Sequence, residues 1–404
     1  MAPIISRIRH AGLGNLLLLG TALLVGCASG AQTASGDPSD TLPERGMEAV
    51  TLPPNTSAEH AIQQLGGIYT ADPALSSYVT SVAVRLAAAG PSGGLSPTPR
   101  VALINSPIPD ARRLGEHQLA ISRGLLTELE SEAELAAVIA HLMAHDTKNQ
   151  SAADGTPDDA AEQRADRQAI DRVAAAGYDP HLAAHLVQTF HQLAMRQAPD
   201  WMSGLFYHHP PSAARVRAGL RHVARYPTET GESGIYRHAE RIRALLVNTD
   251  AYEAITRGHA ALNRGDTALA LTLAGDAAGH LPGAPDAHAL SGAAHLAAGH
   301  PAEAENALSQ ALKLDDGYYK YYLVRGVARA RQRKVEGALD DLNHSLAILP
   351  TAAAHLEMGR IYEGGDNEAA RTHYRAAVAL GGAAGKTARA ALARLDKPEP
   401  PPAP

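Results

Sequence analysis

His141 and His145 stand four residues apart in the apolar run AVIAHLMAHDTKN, residues 137–149. On a helix, positions i and i+4 share a face, so two imidazoles at this spacing can reach one metal ion. The frame is that of H-E-x-x-H, where the glutamate takes the proton from a metal-bound water. Here the second letter is Leu142, which offers no proton acceptor. Seventeen residues past His145 comes Glu162, in the run Glu162-Gln163-Arg164-Ala165-Asp166-Arg167. Two histidines and one carboxylate from a second helix make a three-ligand zinc set with its fourth tetrahedral position open. Asp166, one turn past Glu162, can accept a hydrogen bond from the other nitrogen of a ligating ring.

The spacing alone says little. With 20 histidines in 404 residues, about one pair at that interval is expected from composition. A second pair, His181 and His185, follows Pro180 without a comparable carboxylate cluster, and reads as surface histidines. Two residues are candidates for the missing base. Asp146 shares a helix face with Leu142, but its shorter side chain sits a turn further on and needs a second water to reach the metal's water. Glu116 is a more remote candidate. Loss of general-base assistance typically costs about 10²–10⁴-fold in rate, so the pattern implies metal binding with hydrolysis absent or very slow.

These residues need elements to hold them. Ser131 and Glu134 form an S-x-x-E capping box that opens a helix predicted over 131–148. Helical periodicity also predicts 57–66, 72–89, 158–176, 180–196, 212–224 and 235–248. Strands are predicted at 99–105 and, more weakly, at 118–122. Loops fall at Gly177-Tyr178-Asp179-Pro180 and at His208-His209-Pro210-Pro211.

From residue 251 the sequence repeats. Gly258, Gly292 and Gly326 recur every 34 residues, as do Gly265 and Gly299, and Ala270, Ala304 and Ala338. Pro282 and Pro350 bracket Asp316 in the same phase. A fourth unit restarts one residue early at Gly359 and carries Tyr362, Tyr374 and Ala377. This period, with small residues where paired helices approach, resembles the tetratricopeptide repeat.

The first 27 residues hold Arg7 and Arg9, an apolar core from Leu16 to Gly26, and the one cysteine, Cys27. The core is short of the roughly 18 apolar residues of a membrane span and reads as a signal segment. Leu24-Val25-Gly26-Cys27 resembles a bacterial lipobox, which implies lipidation of Cys27, and Ala28 after it implies the outer membrane. Residues 28–54 are small and polar and read as a flexible tether; the tail 397–404 is proline-rich. With one cysteine there is no internal disulfide. Apolar residues make up 45% of the chain and aromatics only 4%, which suits alanine-rich helices. A net charge of -6 without a basic block argues against a nucleic-acid partner.

The stretch GLLTELESEAELAAVIAHLMAHDT, residues 124–147, is similar to the zinc helix of metallopeptidase family forty-eight, the family of the CAAX prenyl protease. Its bacterial envelope members share the plan of signal, protease domain and tetratricopeptide repeats. The resemblance runs over roughly 58–382. It implies Glu162 as third ligand through E-x-x-A-D, matched by Ala165 and Asp166, and matches the turn Gly177 to Pro180. The family's T-H-P-P-x-x-x-R run is met by His209, Pro210, Pro211 and Arg215, with His208 for threonine; the histidine there approaches and gates the metal in family members. Two departures stand out: Leu142 for the base, and Asp110-Ala-Arg-Arg-Leu-Gly-Glu-His117 for the cleft strand N-A-F-A-x-P-G-G, keeping only Gly115 of its glycine pair.

The expected fold is mainly α. A helix-rich zincin-like (gluzincin) domain with a small sheet occupies 55–230. A connecting helix covers 231–250, and an α-solenoid of about four tetratricopeptide repeats covers 251–382. A helix end and the tail follow at 383–404. The expected function is that of a lipid-anchored periplasmic pseudoprotease. It binds one zinc ion through His141, His145 and Glu162, with Asp166 and His209 supporting or gating. Outer-membrane or periplasmic proteins are its expected partners, in envelope quality control. The alternatives are an active zinc metalloendopeptidase with a displaced base, and a metal-free repeat scaffold.

Overall fold

Ser131 caps its helix as its side chain predicts. Ser131 Oγ accepts from the Glu134 amide at 3.1 Å, and Glu134 Oε2 accepts from the Glu130 amide at 2.5 Å, one residue before the cap. Ser57, Asp72 and Ser212 cap three other helices of the first half in the same manner. The computed structural model describes residues 56–90, 98–145, 159–195, 209–228 and 230–396. Cys27, the signal segment, the tether, Asp146, His208 and the proline-rich tail lie outside the described residues.

The first half runs α1 (Ala58–Leu65), α2 (Pro73–Ala88), β1 (Arg100–Ile104), β2 (Ala111–Arg113), β3 (Gln118–Ser122), α3 (Arg123–Glu128), α4 (Glu132–Ala144), α5 (Asp159–Ala175), α6 (Pro180–Met195), α7 (Ala213–Val223), α8 (Ile235–Arg241) and α9 (Arg243–Val247). The sheet has the order β1-β3-β2, with β3 parallel to β1 and antiparallel to β2. Its residues alternate as a two-residue period requires. Leu103, Leu119 and Ile121 face the main core, while Ala102, Ile104 and Ala120 pack on Ile62, Leu65 and Leu114. Helix α4 is apolar all round, with Leu135, Ala136, Ile139 and Ala140 at zero exposure. It is therefore a central helix, packed against α2, α5, α6 and β2.

Four expectations need correction. Strand β2 and helix α3 are too short for periodicity to reveal. The helix expected over 131–148 ends at Ala144, and His145 is its extended cap, at φ -71 and ψ 127. The connecting helix is two short helices that break at Ile242, and it is no mere connector. His238 is fully buried there: its Nε2 donates to the Leu126 carbonyl at 3.2 Å and its Nδ1 accepts from the Tyr78 hydroxyl at 2.9 Å. The helix end expected at 383 is instead a full helix, Gly382–Leu395, laid over the last repeat.

The second half is four helical hairpins: α10 (Thr249–Asn263) with α11 (Thr267–His280), α12 (Pro285–Ala297) with α13 (Pro301–Leu314), α14 (Tyr319–Arg331) with α15 (Val335–Ile348), and α16 (Ala352–Tyr362) with α17 (Asn367–Leu380); α18 is Gly382–Leu395. The repeating glycines sit where helices touch. A Cβ on Gly292 would meet Leu308 at 2.5 Å, and one on Gly326 would meet Leu342 at 3.0 Å, each on the partner helix of its hairpin. Gly359 faces Tyr374 in the same way, whereas Gly258 faces Leu290 of the next hairpin. Ala270, Ala304 and Ala338 are fully buried. Gly265 and Gly299 turn between helices at φ 74 and 79, and the position 34 residues on is Arg333, at φ 60.

The hairpins are joined to the first half by a polar seam. The Tyr69 and Tyr252 hydroxyls lie 2.9 Å apart, and Asn105 Nδ2 donates to Asp286 Oδ2 at 2.7 Å. Gln63 donates to the Gly317 carbonyl at 2.9 Å and accepts from the Tyr319 amide at 3.3 Å. The Arg123 guanidinium lies over the Tyr252 ring at 4.1 Å. Among the described residues, no helix is long and apolar enough to cross a membrane.

Candidate metal centre

Helix α4 carries His141 in its last turn and His145 just beyond it. The last carbonyls of a helix lack intrahelical partners. Here Arg113 of β2 supplies one, its Nη1 donating to the His145 carbonyl at 2.7 Å and the Leu142 carbonyl at 3.4 Å. The same side chain bonds the Gly115 and Glu116 carbonyls. It thus ties the strand to the end of α4. Although His145 has left the helix, its Nε2 still lies 3.0 Å from His141 Nε2.

Two further elements converge on that pair. Glu162, in the first turn of α5, places Oε2 at 3.3 Å from His141 Nε2 and Oε1 at 3.2 Å from His145 Nε2. His209, before α7, places Nδ1 at 3.2 Å from His141 Nε2 and at 3.4 Å from both Glu162 oxygens. The four donor atoms lie within 4.8 Å of one another. Two donors bound to one zinc at about 2.0–2.1 Å and a tetrahedral angle are about 3.3 Å apart. Six of the separations, at 3.0–3.4 Å, lie near that figure, and the donor types are those zinc takes. His209 therefore stands among the candidate donors rather than beside them.

Behind the donors is a carboxylate–arginine pair. Asp166 Oδ1 lies 3.0 Å from His141 Nδ1, so that nitrogen donates, and Nε2, on giving up its own proton, would present its lone pair to a metal at the centre. Arg215 grips Asp166 with two bonds of 2.8 Å, and its Nη1 lies 2.9 Å from Glu162 Oε2. Burial works against the charge on Glu162, but hydrogen bonds from three imidazoles hold its carboxyl well below the usual range. Burial likewise opposes Asp166, yet Arg215 and His141 bring it down to about 2. Burial pushes His209 down to about 4, which leaves the ring neutral and able to ligate at neutral pH. His141 is also disfavoured as a cation by burial, but its bonds to Asp166 and Glu162 prevail and raise it.

Leu142 is 1% exposed and lines a cavity of about 60 Å³ beside His141. The walls are apolar, from Ala137, Val138, Ile170, Leu186 and Phe190 among others, with His141, His209, Asp166 and Arg215 at the polar end. Ala111 of the edge strand β2 borders it. The one carboxylate lining it, among the described residues, is Asp166, already held by Arg215 and His141. Glu116 is exposed, its carboxylate 3.9 Å from His117. His181 and His185 lie at the surface, His181 within 3.2 Å of the Pro227 carbonyl. Arg215 had been matched to a motif without a role, and Arg113 carried no sequence signal, because its work depends on which strand meets the helix end.

Residues 73–154 match the sequence model of peptidase family M48. The match includes both histidines and stops short of Glu162 and His209, which the fold brings to them. No curated protein matches the chain. Among solved structures, the first tetratricopeptide domain of human RPAP3 is 23% identical, at a TM-score of 0.27, over 31% of this chain and 95% of that one. The MamA protein is 18% identical, at a TM-score of 0.29, over 42% and 88%.

Proposed function

We propose that this chain, which carries a peptidase family M48 region followed by helical-hairpin repeats, is a zinc-holding pseudoprotease that works by binding. His141, His145, Glu162 and His209 would hold the metal. Zinc bound there would supply positive charge and a cross-link between α4, α5 and the segment before α7; in a hydrolytic site it would also acidify a water. The observation that carries the reading is Leu142, buried at the position of the general base, in a cavity whose one carboxylate among the described residues, Asp166, is already paired. Four protein donors also leave a tetrahedral ion no open position, the condition of a structural site.

Binding has a surface to use. The edge strand β2 borders the apolar cavity, and an extended segment can add to such an edge while an apolar side chain enters the pocket. The repeats offer a second face for proteins. With the lipobox at Cys27, the fitting partners are unfolded or assembling outer-membrane proteins, met by a lipid-anchored protein on the periplasmic face. Cys27→Ser should move the protein to the soluble periplasmic fraction; continued membrane retention would refute the anchor.

The deciding comparison is the zinc-loaded parent against Leu142→Glu on an unfolded protein substrate. The parent is expected to bind it without cleavage, and the variant to gain slow hydrolysis once His209→Ala also opens the fourth position. Robust cleavage by the parent, abolished by His141→Ala, would overturn the reading in favour of a displaced base. A parent that takes up no zinc would overturn it in favour of a metal-free scaffold.

A further inference from the structure

The fourth hairpin contains a second convergence of imidazole nitrogens, far in sequence from the centre at His141. His355 lies on α16 and His373 on α17, and their Nδ1 atoms are 3.0 Å apart. This equals the separation of the two Nε2 atoms in the His141–His145 pair. Both rings are partly exposed, so the contact opens to solvent on one side. Tyr362 stacks on the His373 ring, with planes 8° apart and centroids at 5.6 Å, which fixes how that ring is turned. The two helices are locked together by Gly359 against Tyr374, so neither ring must move its backbone to present its nitrogen. Donors carried on packed helices keep their geometry better than donors on loops.

We propose that His355 and His373 form a two-histidine site for a divalent transition metal, copper(II) or nickel(II), on the repeat half of the molecule. Imidazole nitrogen suits these ions and not magnesium or calcium, which take oxygen. Two nitrogens bound at about 2.0–2.1 Å subtend roughly 95° when they are 3.0 Å apart, an angle that a tetragonal ion accommodates. Among the divalent first-row ions, copper(II) and nickel(II) stand high in the affinity order for nitrogen donors. Water completes the coordination on the exposed side.

The alternative occupant of the same geometry is a proton, shared in an imidazole–imidazole hydrogen bond, and the test separates the two. The full chain, with zinc already loaded, is titrated with copper(II) and followed by electron paramagnetic resonance. The expected result is one copper with two coordinated imidazole nitrogens, lost in His355→Gln and in His373→Gln. His280→Gln, whose ring is exposed on another hairpin, should retain it. Glutamine keeps hydrogen bonding but does not replace the imidazole. Should a substitution unfold the hairpin, the unsubstituted chain still decides. Under the proposal, substoichiometric copper broadens the nuclear resonances of the His355 and His373 rings before that of His280. Copper signals unchanged in both glutamine variants, or broadening that spares the two rings, would overturn the site and leave a plain hydrogen bond.

Discussion

At the scale of single residues, the centre depends on charge balance as much as on ligands. Arg215 is buried and bonds both Asp166 and Glu162. Removing it strands two carboxylates, and breaking a buried ion pair from one side costs about 3–5 kcal/mol. Arg215→Met should therefore lower metal-free stability by that amount in denaturant unfolding. Zinc should recover more stability in the variant than in the parent, because the metal replaces part of the lost charge; an equal zinc increment in both would refute the balance. His141, His145 and Glu162 were legible as candidate donors because they belong to motifs with fixed spacing, and the fold brings them together. His209 was legible only as a gate, since a histidine 68 residues from His141 gives no distance until the fold is known. Arg113 was illegible for a stronger reason: an arginine in a three-residue strand has no helical or strand period, and its target carbonyls exist only because the helix stops.

At the scale of elements, the repeats were the clearest part of the sequence. Their buried small residues recur at one interval, and Gly292 and Gly326 report the same contact within a hairpin. The first half was read less well at its edges. The 131–148 helix overran its end at Ala144 because local propensity favours continuing, while the last carbonyls are met by Arg113 of β2. The helix after 382 was read only as a helix end; Gly381 and Gly382 both adopt positive φ in the turn that starts it. The same columns expose one position where the pattern is broken. Arg333 is the one non-glycine residue with positive φ among the described residues, in the column that holds Gly265 and Gly299. Its side chain is exposed, so only its backbone is at issue. An L residue in the left-handed region costs about 1–2 kcal/mol, and glycine pays part of that back in chain entropy. Arg333→Gly should raise stability by about 0.5–1 kcal/mol in thermal or denaturant unfolding; a neutral or lowered value would show that this turn carries no strain.

At the scale of the whole molecule, the seam of Tyr69, Asn105 and Gln63 with Tyr252, Asp286 and Tyr319 has a thermodynamic meaning. A chain cut near residue 250 would leave Arg123, buried in the intact protein, without the ring it stacks on, and Tyr69 without its hydroxyl partner. Peptidase-type core and solenoid are therefore expected to melt as one calorimetric unit, with the van't Hoff and measured enthalpies equal. Two resolved heat-absorption peaks would refute this. A ligand that binds only the folded state raises its stability wherever in that unit the ligand sits. Chelating zinc from the first half should then speed amide hydrogen exchange at the deepest positions of the repeats, which makes the solenoid a remote gauge of whether the metal is in place.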